Sequence, residues 1–296
     1  MRFGIMALQI DALVPQGLPP QQVMAHIAGF EHAGLVRGLA EHGFKLIELG
    51  GDLSLFLPHT FAPAAIQRLA DLKAELGLSY TVHLPLWSVE TSTPLGPVRR
   101  GSAQAVIEII RATQPLQPEA YVLHATGALA AEFYRMRLPE MARQLLLRQF
   151  QSGAAESLRT ILAETGIPSR KLAIETIEFP FDLTLELAEQ FDLSLCLDTG
   201  HILAGFAGPV GFFEALERCL PRLAEIHLHD SPWQGPEMTL QYGKDHQALG
   251  RGDLDTSRLL QRLSQAGFDG PIIFELRLEE ALASMDVIRT LLPKHA

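Results

Sequence analysis

The chain has 296 residues, 47% of them hydrophobic, and a formal net charge of -10. This length and apolar content exclude intrinsic disorder and allow one large domain, since barrel folds often reach this size. The acidic balance argues against broad electrostatic capture of nucleic acid, although bound divalent ions would add positive charge that the formal count omits.

In chain order, short β-rich runs alternate with longer helical patterns. The strands read as Phe3–Gln9, Leu46–Leu49, Ser79–His83, Ala120–His124, Leu172–Thr176, Ser194–Leu197, Ala224–His229 and Pro271–Leu276. They are short and apolar, as expected of parallel strands covered by helices. Helical periodicity is read over Glu31–Glu41, Pro63–Glu75, Ser102–Ala112, Glu132–Phe150, Ala155–Glu164, Gly211–Arg218, Thr256–Gln265 and Glu280–Leu291. Four helices stop at glycine, in AEHGF, AELGL, AETGI and SQAGF, which suits a left-handed C-terminal cap before the next strand. The expected architecture is α/β, a (β/α)8 TIM barrel, in one domain over 1–296.

Cys196 in a strand-like run and Cys219 on a helix suggest no disulfide framework, so a reducing, cytoplasmic compartment is expected. The N-terminal MRFGIMALQI is too short for a signal sequence core, and no apolar stretch approaches membrane-spanning length. Long loops follow strands three, six and seven (Pro85–Gly101, Thr199–Pro209, Ser231–Asp253), and Ile10–Pro20 follows strand one. All leave C-terminal strand ends, where a barrel of this kind builds its active site.

Those same strand ends carry ionisable residues: His83, His124, Glu175, Asp198 with His201, His227 with His229, and Glu275. Burying such groups beside apolar strands is costly unless they pair or bind metal. Imidazoles and carboxylates without cysteine suit Zn²⁺, Mn²⁺, Fe²⁺ or Co²⁺ rather than a structural zinc finger. Taken singly, His83 or His124 can equally cap a helix or pair with arginine. The set Glu175, Asp198, His227 and Glu275 is harder to explain without a metal, because it gathers three carboxylates around one imidazole. Period-two alternation points His227 and His229 the same way, which makes His229 a ligand, a supporting group or a substrate contact. Glu178 falls in the loop beyond Glu175. Trp87 and Trp233 can stack on a substrate ring or pack in a lid. Arg99, Arg100, Arg251 and Arg277 can meet a phosphate or form surface ion pairs.

The motifs LCLDTGH, EIHLHD and HQALGRGDLD, followed by the Glu275 strand, resemble the xylose-isomerase-like TIM-barrel superfamily. That superfamily also contains sugar isomerases and epimerases and the endonuclease IV class of AP endonucleases. In the isomerase and epimerase branch, the resemblance implies one divalent ion on Glu175, Asp198, His227 and Glu275. The two glutamates would form the acid/base pair and His201 would touch substrate. In the endonuclease IV branch it implies added ligands at His83, His124, His201 and His246, with Glu175 bridging two ions. Lys244 stands where that branch has an aspartate, and Asp245 would replace it only with a changed loop, so the expected count is one to three ions, Zn²⁺ or Mn²⁺. Distant similarity to cobamide-remodelling members in the EIHLHD and DTGH segments adds a nucleotide-loop phosphodiester to the possible substrates, while KLIELGGD looks like a general member.

The leading expectation is a metal-dependent phosphoester hydrolase acting on a small phosphorylated or nucleotide-like molecule, with metal-activated water as nucleophile. The alternatives are a sugar or sugar-phosphate isomerase or epimerase, and a barrel that binds a ligand without turning it over. Basic patches with interleaved aromatics are absent from the sequence, which leaves DNA without support as a partner. No oligomeric state is implied.

Overall fold

The computed structural model describes residues 1–7, 17, 19–233 and 245–291. Most of the Ile10–Pro20 loop, Lys244 and the middle of the Ser231–Asp253 loop lie outside those residues.

Eight parallel strands close into a barrel in sequence order: β1 Arg2–Met6, β2 Leu46–Gly50, β3 Ser79–His83, β4 Tyr121–Leu123, β5 Leu172–Glu175, β6 Ser194–Asp198, β7 Leu223–His227 and β8 Pro271–Phe274. β1 pairs with β8, with Arg2 opposite Pro271 and Ile5 opposite Phe274, so no strand edge is left open. The fold is therefore the expected (β/α)8 TIM barrel.

Each strand alternates. Ile47 and Leu49 of β2, Tyr80 and Val82 of β3, Ile174 of β5, Leu195 and Leu197 of β6 and Ile272 and Phe274 of β8 join the main apolar core with the surrounding helices. The intervening residues face the barrel interior. One inward step below the strand ends, Val122, Ala173 and Cys196 pack as one cluster. Above that level the same parity places His83, Glu175, Asp198, His227 and, just past β8, Glu275. The bulky residues thus stabilise the barrel from outside, and the inward parity is left for chemistry.

The described helices are α1 Pro20–Ala28, α2 His32–Glu41, α3 Leu53–Phe56, α4 Pro63–Leu76, α5 Gly96–Thr113, α6 Ala128–Arg135, α7 Glu140–Thr165, α8 Phe181–Gln190, α9 Thr199–Leu203, α10 Phe212–Cys219, α11 Thr256–Gln265 and α12 Leu278–Leu291. The four capping glycines, Gly43, Gly77, Gly166 and Gly267, all have positive φ, as the helix–glycine–strand pattern requires. Three expectations change. The two helices read over Glu132–Phe150 and Ala155–Glu164 are instead α6 followed by one 26-residue helix, α7. Helix α5 begins at Gly96, inside the stretch read as the strand-three loop. The stretch read as the loop Thr199–Pro209 opens with a short helix, α9, with Asp198 as its N-cap: its Oδ1 accepts from His201 N at 2.7 Å. No helix among the described residues is long and apolar enough to cross a membrane.

Candidate metal centre

The strand ends converge on one mouth. Glu175, the last residue of β5, is buried at the centre of a ring of imidazoles. Its Oε2 lies 3.1 Å from His83 Nε2 and 3.0 Å from His124 Nε2. Its Oε1 lies 3.4 Å from His201 Nδ1 and 3.4 Å from His227 Nδ1. The two oxygens of one carboxylate therefore look into two sets of donors.

Those sets are His83, His124 and Glu175 on one side, and Glu175, Asp198, His227 and Glu275 on the other, with the ligand atoms of each set within 4.8 Å of one another. His227 Nδ1 is 3.4 Å from Glu275 Oε1 and 3.9 Å from Asp198 Oδ2. A third group gathers His201, His229 and His246. Within it, His229 is fully buried and both its nitrogens are engaged. Nδ1 accepts from the backbone N–H of His246 at 2.9 Å, and Nε2 lies 2.9 Å from Asp198 Oδ2. His229 thus braces Asp198 from behind, the supporting place among the three expected of it. Gly200 leaves room for this ring: a Cβ there would lie 2.1 Å from His229 Cε1.

Asp245 reaches the third group. Its Oδ2 is 2.9 Å from His246 Nδ1 and 3.9 Å from His201 Nε2. The backbone of His246 is left-handed, φ 58°. This local turn sets the Asp245 carboxylate against the two imidazoles, as a changed loop would have to do; Lys244 lies outside the described residues.

The buried charges are mutually supporting. Burial opposes the charged form of His83, yet the hydrogen bond to and charge of Glu175 raise its pKa to about 9. His201 is likewise opposed by burial and raised to about 9 by Asp198 and Glu175. Burial opposes the charged form of His246 too, but the bonds to Asp245 and Glu275 outweigh it and lift the pKa to about 11. Glu175 and Glu275 are held well below the usual carboxylate range, burial being overcome by His124 and His227 for the first and by His227 and His246 for the second. Burial lowers His229, consistent with a neutral ring.

Proton-loaded imidazoles around ionised carboxylates are one way to stabilise this cluster; a divalent cation in place of the protons is another. The residues fit the cation. Glu175 Oε1 and both nitrogens of His227 are buried with no hydrogen-bond partner among the described residues, and the N/O donor set suits Zn²⁺ or Mn²⁺.

Beside the cluster opens a cavity of about 530 Å³ lined in part by Trp87, Leu86, Met6, Arg277 and Glu280, with His83, His124, Glu175, His201, His246 and Glu275 at its polar end. Asp52 shapes its wall by accepting from the backbone N–H groups of Leu86 and Trp87. Trp87 and Arg277 thus stand on the wall, within reach of anything that enters. Trp233 and Arg251 are not part of this lining. Arg99 is taken up structurally: it donates to Thr93 O at 2.7 Å and pairs with Glu156. Glu178 pairs with Arg135 at 2.7 Å. Sequence reading missed Glu48 and Glu225, buried on β2 and β7 beneath His227. The signal was present in the inward parity of KLIELGG and LAEIHLH.

The barrel is shared with several solved structures. A D-tagatose 3-epimerase-like protein superposes with a TM-score of 0.70 at 19% identity, covering 98% of this chain and 97% of that one. Endonuclease IV from Thermus thermophilus superposes with a TM-score of 0.64 at 21% identity, covering 98% of each. By sequence, the uncharacterized protein MJ1311 of Methanocaldococcus jannaschii is 22% identical over 267 residues, 85% of this chain and 81% of that protein. The model of the xylose isomerase-like TIM barrel matches residues 36–291. With the closed barrel, this match establishes that the chain belongs to the xylose isomerase-like TIM barrel family.

Proposed function

We propose that the chain is an enzyme, a divalent-metal-dependent phosphoester hydrolase acting on a small phosphorylated or nucleotide-like substrate. One observation carries the reading: Glu175 directs one oxygen at His83 and His124 and the other at His227. A centre with a single ion needs only Glu175, Asp198, His227 and Glu275. The added convergence of His83 and His124 on the same carboxylate is what a second, adjacent ion requires.

When bound, a pair of such ions supplies polarising charge for phosphoryl oxygens and makes water more acidic. The residues of the chain do the rest. Glu175, Asp198, His83, His124 and His227 hold the donor geometry. Glu275 reaches the cavity from the end of β8, so it is placed to accept a proton from attacking water. His246 lines the cavity beside Asp245 and Glu275, so it is placed to give one to a leaving oxygen. Arg277 adds positive charge at the wall for a phosphate, and Trp87 offers a flat apolar face to a ring.

The second reading is a sugar or sugar-phosphate isomerase or epimerase. It is favoured by Glu175 and Glu275 both lying 3.4 Å from His227 Nδ1, on one four-residue set that suffices for a single ion. The test is direct comparison on metal-loaded protein. Hydrolysis of bis(p-nitrophenyl) phosphate, lost in His83→Ala, supports the hydrolase. Solvent deuterium entering ketohexoses or their phosphates, with no phosphodiester cleavage and no loss in His83→Ala, replaces it with the isomerase.

A further inference from the structure

Beneath the strand-end tier, the barrel interior holds two carboxylates, Glu48 and Glu225, that the reaction above does not use, set against His227. Glu48 on β2, Glu225 on β7 and His227 are all 0% exposed. The two nitrogens of His227 face opposite partners. Nδ1 lies 3.4 Å from Glu175 Oε1 and from Glu275 Oε1, whereas Nε2 lies 3.3 Å from Glu48 Oε2. Neither Glu48 oxygen has a hydrogen-bond partner among the described residues. Thr81 stands opposite Glu48 in the β2–β3 register, but its hydroxyl donates to Glu225 Oε1 at 2.9 Å. Glu48 is thus a buried carboxylate aimed at the face of His227 turned away from the mouth.

A buried carboxylate in that position needs a donor. An imidazole whose Nδ1 is turned to a cation carries its remaining proton on Nε2, and that N–H is the donor on offer. We propose that Glu48 is a positioning residue: it accepts the Nε2–H of His227, locks the tautomer, and so presents Nδ1 to the ion held by Glu175, Asp198, His227 and Glu275. The inference rests on that set binding metal. The competing arrangement is a separate ion held by Glu48, Glu225 and His227, whose ligand atoms also lie within 4.8 Å of one another.

The experiment compares wild type, Glu48→Gln and Glu48→Leu as full chains. Zn²⁺ affinity and stoichiometry are read by chelator competition, and ring-nitrogen NMR of the Zn²⁺-loaded protein reads the His227 tautomer. The expected result is an unchanged number of ions and an affinity about 10–100-fold lower in Glu48→Leu. Glu48→Gln, whose amide oxygen can still accept, falls between it and wild type, with a shifted His227 Nε2–H resonance. A residue that only fills space would lower metal-free stability without moving that resonance. Affinity in both variants within about twofold of wild type overturns the proposal, as does an unmoved resonance. Loss of one ion per chain overturns it in favour of the separate site. If wild type itself takes up no ion, the metal-binding reading falls first, an outcome distinct from the other two.

Discussion

Raising the pH should tighten metal binding to the His83–His124–Glu175 set, by an amount set by the proton on His83. In the metal-free protein burial opposes that proton, but Glu175 outweighs burial and lifts the imidazole to a pKa of about 9. At pH 7 it is protonated, and a metal ion must displace that proton. The cost is about two pH units, or roughly 3 kcal/mol, which disappears as the pH reaches 9. Zn²⁺ affinity at this set should therefore rise about tenfold per unit, close to a hundredfold from pH 7 to 9, and then flatten. The linkage runs the other way for the metal-free fold. A histidine raised from 6.5 to about 9 contributes stability that is fully present below about 6.5 and lost as the pH rises through 9. Competition with a chelator of known proton affinity, read across pH, gives the affinity curve. Calorimetry in buffers of different ionisation enthalpy counts the protons released. The slope should also depend on Glu175: in Glu175→Gln, His83 loses the partner that lifts it, and the rise above pH 7 should largely vanish along with most of the affinity. A wild-type affinity that changes less than about threefold between pH 7 and 9, with no proton released, would refute the reasoning.

Three further outcomes follow from individual residues. His32 is fully buried, neither ring nitrogen has a hydrogen-bond partner among the described residues, and burial lowers its pKa to about 4. Its stabilising effect is present above pH 6.5 and fades as the pH falls toward 4, so His32→Leu should flatten the acid side of the stability curve by about 3 kcal/mol in urea titrations at pH 7 and pH 4; an unchanged difference between the two pH values would contradict it. Gly200→Ala drives a methyl into His229 and should lower metal affinity by about 10–100-fold through Asp198, while a fully retained affinity would show that His229 does not brace that ligand. Trp87→Ala should raise KM several-fold with kcat nearly unchanged on a ring-bearing phosphodiester, whereas a fall in kcat alone would place Trp87 in the chemistry rather than in binding.

Much of this barrel was legible because its strands are marked twice, by apolar outward residues and by an ionisable residue at the end. Ser79–His83 and Thr256–Gln265 have the expected bounds, and the strand ends carrying His83, Glu175, Asp198, His227 and Glu275 lie at one mouth. What was missed has local causes. Gly153 lies between the two helices expected at Glu132–Phe150 and Ala155–Glu164, yet it is within α7, where the helix sits close on the β3–α5 loop: a Cβ would lie 2.3 Å from Ser92 O. Helix α8 has no closing glycine and ends at Phe191 as its C-cap, so it lacks the punctuation that marks the end of α7 at Gly166. Glu48 and Glu225 were overlooked because β2 and β7 were read as uniformly apolar strands, when only the outward parity is apolar. The Asp245–His246 turn depends on a left-handed backbone at a histidine, which no residue type announces.

The most direct test of the proposal that Glu175 is shared between two ions is the metal content of the protein after equilibration with Zn²⁺ and removal of free ion. Elemental analysis should find at least two ions per chain in the wild type, falling by one in a His83→Ala, His124→Ala double variant. One ion per chain in both proteins would contradict a shared carboxylate between two sites.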